Sequence, residues 1–163
     1  MRRLLVPLLA LTLAPAGLAA SFSYSVQTSS PITVSTVTLS GDDQTKTFTI
    51  VTQVAYTGGN ATAGWKVEAA ATTPTSGTKT LPALAVTNGT YSCVSSCSSN
   101  PSPTGISYPI TLSSTAVPIY NANTSTGKGT FNVTSTFQVT YPANIFPGTY
   151  SSTVTLTAAT GPT

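Results

Sequence analysis

From Ser21 onward the chain alternates. Phe22, Tyr24 and Val26 are separated by serines; Phe48, Ile50, Thr52, Val54 and Tyr56 fall on one face of a run; Trp65, Val67 and Ala69 share another. Phe131, Val133, Ser135, Phe137 and Val139 repeat the pattern, and Tyr150, Ser152, Val154 and Leu156 close it. Successive strand side chains point to opposite faces, so a period of two with apolar residues on one parity predicts half-buried strands. No stretch after residue 20 carries apolar residues at the three-and-four spacing of an amphipathic helix. Each such strand must bury its apolar face against a second layer, which predicts an all-β fold, a single antiparallel β-sandwich of about eight or nine strands.

Turn formers punctuate the runs: Gly41-Asp42-Asp43, Gly58-Gly59-Asn60, Asn88-Gly89, Gly127 to Gly129 and Pro147-Gly148. The stretch from Cys93 to Pro109 is the most irregular and predicts a long surface loop. Cys93 and Cys97 are the only cysteines, and there is no histidine. A metal site would need further ligands, so the pair predicts a local disulfide stapling a loop tip.

That redox reading agrees with the N-terminus. Arg2 and Arg3 precede an apolar run from Leu4 to Leu13, followed by small residues at Gly17 and Ala19. This is the layout of a secretory signal peptide, residues 1–19, with cleavage after Ala19 or one residue later. The apolar run is too short for a permanent membrane anchor, so no span is expected after cleavage. Residues 20–163 then form one domain. Of its 144 residues, 53 are Ser or Thr, and four lysines face three acids, a net charge of +1. The basic balance of the precursor therefore belongs largely to the leader and does not predict a nucleic-acid surface. A surface so poor in charge is weakly defended against self-association.

The residue inventory also bounds the chemistry. General acid–base work draws on His or a tuned carboxylate pair. Here the carboxylates are Asp42 and Asp43 in a turn and Glu68 on a strand. Serines are plentiful, but none has a positioned base. The stretch TGKGT, from Thr126 to Thr130, lacks the GK[ST] ending of a phosphate loop. The expectation is a non-catalytic protein with no cofactor and no metal. Trp65 continues the apolar face of Val67 and Ala69 and is expected in the core.

The tail, YPANIFPGTYSSTVTLTAATGP, has a spacing that resembles the terminal motif of WxL-domain proteins, surface proteins of Gram-positive bacteria that associate with the cell wall without a covalent anchor. The matching positions are Tyr150, Val154, Thr155, Leu156, Ala158 and Pro162, and Trp65-Lys66-Val67 resembles the first Trp-x-Leu element. The similarity runs from about Thr47 to Pro162, with Leu156 where the second Trp belongs and Val67 in place of a Leu. It implies a secreted, non-catalytic domain that binds a cell-wall polymer or other surface proteins through Trp65, Lys66, Val67, Tyr150, Val154 and Leu156.

Two other readings come from the residues themselves. SFSYSVQTSSPITVSTVTLS alternates well enough to be donated as a strand, which predicts a structural subunit that self-associates into a filament or surface layer by strand exchange. A carbohydrate-binding module would instead align Tyr91, Tyr108 and Tyr120 on an exposed platform.

Overall fold

The computed structural model describes residues 20–34, 37–38, 40–59 and 61–161. The expected leader, residues 1–19, lies outside the described residues, as do Asn60 and Pro162. Among the described residues there are ten strands and no helix. They are β1 (Ser21–Val26), β2 (Gln44–Thr57), β3 (Trp65–Ala71), β4 (Thr75–Ser76), β5 (Lys79–Thr80), β6 (Ala85–Ser99), β7 (Ile110–Thr111), β8 (Val117–Ala122), β9 (Lys128–Tyr141) and β10 (Val154–Thr160). All pair antiparallel, in a five-stranded sheet ordered β1-β2-β9-β6-β7, a three-stranded sheet ordered β10-β3-β8, and the β4-β5 hairpin.

The alternation read from the sequence sets which face is buried. In β2, Ile50, Thr52, Val54 and Tyr56 are buried; in β9, Phe131, Val133, Ser135, Phe137 and Val139; in β3, Trp65, Val67, Ala69 and Ala71. These inner faces meet in a single hydrophobic cluster, to which β8 adds Ile119, Tyr120 and Ala122. Aromatic pairs tie it together: Phe48 stacks on Phe137 across β2 and β9 at 5.3 Å, and Trp65 on Tyr120 across β3 and β8 at 6.1 Å. Offset pairs of this kind add about 0.5–1.5 kcal/mol beyond the area they bury.

The structure corrects the expected Cys93–Pro109 loop. Chain from Cys93 to Ser99 continues β6 and pairs with β9, Cys93 opposite Phe131 and Ser99 opposite Lys128. Seven residues of β6 therefore answer four of β9, and the ladder shifts register at Cys93/Ser95 and again at Ser95/Ser99. The Cys93–Cys97 disulfide spans this bulge, with Ser96 in the left-handed region at φ 53°. A bulge leaves extra residues unpaired and bends the strand, and the disulfide holds the excess chain in place. Irregular backbone is confined to residues 100–109. Asn88-Gly89, expected as a turn, also lies inside β6. Its glycine is needed because a Cβ there would collide with the Tyr108 hydroxyl and the Tyr120 ring.

Strand length decides where the core opens. β2 and β9 have fourteen residues each, β3 and β10 only seven. Trp65, the first residue of β3, donates its indole N–H to the Gly127 carbonyl just before β9, so these two strands are aligned at that end. At the other end Phe48, Val139 and Tyr141 face chain that is not part of the smaller sheet.

Candidate functional site

The uncovered end is a cleft of about 980 Å³. Its floor is the inner face of the large sheet at Phe48, Ile50 and Val139, and its walls include Leu84 and, from β10, Val154 and Leu156. Residues 145–153 close one side; their backbone meets β4 through paired hydrogen bonds of 2.9 Å between Thr75 and Ser151. Residues 28–34 close the other. Among the described residues that line it none carries a formal charge, and Ile32, Val34, Leu81 and Ile145 extend the apolar surface. Burial raises the Tyr141 phenol above its ordinary value. At the mouth, Lys79 Nζ sits 3.9 Å from the centroid of the exposed Phe146 ring, a cation–π contact.

Two sheet edges flank this region. β10 is the edge of the small sheet; it pairs with β3 on one side, and among the described residues no strand pairs with the other. β1 is an edge of the large sheet, with Phe22, Tyr24 and Val26 directly opposite the buried Tyr56, Val54 and Thr52. These three therefore point to the inner side of the sheet. Phe22 packs edge-on against Tyr56, but Tyr24 and Val26 stay 42% and 47% exposed, Val26 at the rim of the cleft. An unpaired edge and an uncovered apolar row are the features with which a sheet accepts an added strand.

The residues singled out from the sequence divide into two groups. Trp65 and Val67 are fully buried, and Lys66 lies on the opposite face of β3, where it pairs with Glu68 at 3.0 Å. Trp65 offers no surface to a wall polymer. Tyr150, Val154 and Leu156 all line the cleft, and the Tyr150 hydroxyl donates to the Phe146 carbonyl at 3.0 Å. The two segments that carry the WxL-like spacing are neighbours: Leu156 stands opposite Ala69, Ala158 opposite Val67, and Thr160 opposite Trp65. Missing from the sequence reading were Phe48, Ile50, Val139 and Leu84 as cleft residues. Their signal lay in the lengths of the alternating runs, since a strand twice as long as its covering layer must leave inner face exposed.

The three tyrosines form no platform. Tyr120 is buried beneath Trp65, Tyr108 is half-buried with its hydroxyl donating to the Ile119 carbonyl, and Tyr91 lies edge-on against Phe131. Asp43 has a structural role, accepting the Ala143 backbone N–H at 2.8 Å. Among the described residues no group of three or more His, Cys, Asp or Glu could hold a metal ion, and no helix is long and apolar enough to cross a membrane.

Comparison with known protein families, with characterised proteins and with solved structures returned no match. The functional reading therefore rests on the geometry.

Proposed function

We propose that the two larger sheets form one sandwich domain and that this domain is an exported, non-catalytic structural subunit, joined to its neighbours in a filament or surface layer by a strand added along β10. The observation that carries this reading is the uncharged apolar cleft of about 980 Å³ beside the free edge of β10. A strand laid there makes backbone hydrogen bonds with β10, while every second side chain enters the cleft against Phe48, Ile50 and Leu84. The Cys93–Cys97 disulfide agrees with an oxidising, extracellular setting. Sparse charge removes one of the usual defences against edge-to-edge association. Sizing and electron microscopy of purified protein provide the test, and the expected result is a ladder of oligomers or fibres that lengthens with concentration. A monodisperse monomer at millimolar-scale concentration, on the order of 1 mM where weak association would register, ends the proposal.

Wall association is the second reading, and it is favoured by Tyr150, Val154 and Leu156, the tail positions of the WxL-like spacing, which gather at the cleft. On this reading the cleft takes a wall component or a surface protein. Co-sedimentation with isolated cell walls, at low and high salt, separates the two: protein that pellets as a monomer supports the wall, and protein that stays in the supernatant counts against it.

A further inference from the structure

The described residues between Ala20 and Ser40, namely 20–34, 37–38 and 40, are attached as an arm. Among the described residues β1 pairs with β2 alone, and five of its six residues are exposed. Beyond β1, Gln27 donates its N–H to the Val51 carbonyl and Thr28 Oγ1 accepts the Val51 N–H, each at 2.8 Å. There the regular ladder ends. Residues 29–34 belong to no strand, although Ile32 and Val34 lie against the cleft. Among the described residues no backbone hydrogen bond joins this segment to β10. The arm thus touches the cleft without completing the sheet beside it. At its base Gln44 Nε2 donates to the Thr38 carbonyl at 2.6 Å. Next to that anchor Gly41 holds φ +86°, with open space where a Cβ would stand, a position where the backbone can redirect the chain.

Resting on the strand-addition reading above, we propose that residues 20–40 are an exchangeable arm, which in the assembled protein seats in the cleft and along the β10 edge of a second copy. Three observations select this occupant. The arm carries no charged residue from Ala20 to Ser40, and the cleft lining carries none either, so neither side strands a charge on docking. Phe22, Tyr24 and Val26 form a period-two apolar row of which only Phe22 joins the packed core, while Tyr24 and Val26 stay largely exposed with Val26 at the cleft rim; a strand beside β10 would turn the whole of such a row onto Phe48, Ile50 and Leu156. And part of the arm, residues 28–34, already lies against this cleft, so the cleft accommodates chain of this composition. A head-to-tail contact of this kind, which does not close on itself, propagates as a filament.

The arm can be fastened to its own β2. Ser23 and Ala55 stand directly opposite each other, with Ser23 exposed and Ala55 half-buried on the outer face, so the double variant Ser23→Cys/Ala55→Cys locks β1 in place when oxidised. The expected result is that oxidised locked protein loses the oligomer ladder while wild type keeps it, and that reduction restores it. Ser23→Cys alone, carried through the same treatment, controls for opening of the Cys93–Cys97 disulfide. In parallel, a labelled synthetic peptide of residues 20–40 should bind the locked protein, and the same peptide with Tyr24→Asp and Val26→Asp should not. Locked protein that assembles like wild type, or a peptide that does not bind, overturns the arm and leaves strand addition by another segment standing. Wild-type protein that never associates overturns both.

Discussion

Trp65 shows how one side chain can serve both core and turn. Its ring is fully buried against Tyr120, and its indole N–H is satisfied at 2.8 Å by the carbonyl of Gly127, a residue at φ +70° whose missing Cβ leaves room for the ring. Trp65→Ala should therefore lower the unfolding free energy by about 3–5 kcal/mol, read from the denaturant midpoint at constant slope. Tyr120 gives a pH dependence. Its phenol is pushed well above the ordinary value of 10.0, first by burial and then by the nearby Tyr91 and Tyr108. A group with a raised folded-state pKa contributes stability that is complete below its unfolded value and is lost as the pH climbs beyond it, because the unfolded chain releases its proton first. Stability should thus be flat up to about pH 10 and fall above it. Tyr120→Phe should flatten that decline; an unchanged slope would place the dependence elsewhere. Trp65 was legible as core from the apolar parity of its neighbours. The carbonyl that satisfies it was not, since Gly127 is distant in sequence and only the turn before β9 brings it near.

At the scale of the element, β6 separates local signals from pairing. The Ser-rich run from Ser92 to Asn100 has the composition of a loop, yet Ser92, Cys93, Ser95 and Ser99 join the ladder because β9 supplies partners out to Lys128. Turn-like composition states what a segment tolerates alone; a neighbouring strand with unsatisfied N–H and C=O groups overrides it. The disulfide closes a loop of sequence separation four. Loop-closure entropy for so short a ring is about 2 kcal/mol, at the low end for disulfides. The double variant Cys93→Ser/Cys97→Ser should consequently remain folded and lose about 2 kcal/mol in chemical denaturation, with local loosening at Lys128–Thr130 visible by hydrogen exchange. Loss of the whole fold would show that the bulge nucleates the sheet. β10 is the opposite case at Val154 and Leu156, whose alternation was plain in the sequence and which the structure turns inward as expected, but the strand starts at Val154 and not at Tyr150, because Ser151 instead bridges Thr75.

For the molecule as a whole, the consequential mismatch is between the two large sheets, fourteen-residue strands facing seven-residue ones. It leaves the cleft open, and because neither cleft nor arm carries charge, assembly through them should be nearly blind to ionic strength. The association constant should change by less than about twofold between about 0.05 and 0.5 M salt, where an ion-paired interface would weaken markedly. Sedimentation at several salt concentrations checks this, and a steep loss of association would point to the lysines instead. The alternation of apolar and hydroxyl side chains was enough by itself to determine that the chain makes strands and which parity of β2, β3 and β9 is buried, because these follow from backbone geometry. Only the tertiary structure decided which strands are neighbours, that the tail lies beside Trp65, and that one end of the core stays open. Those depend on pairing between residues far apart in the chain, and the relative lengths of two layers have no expression until the layers meet.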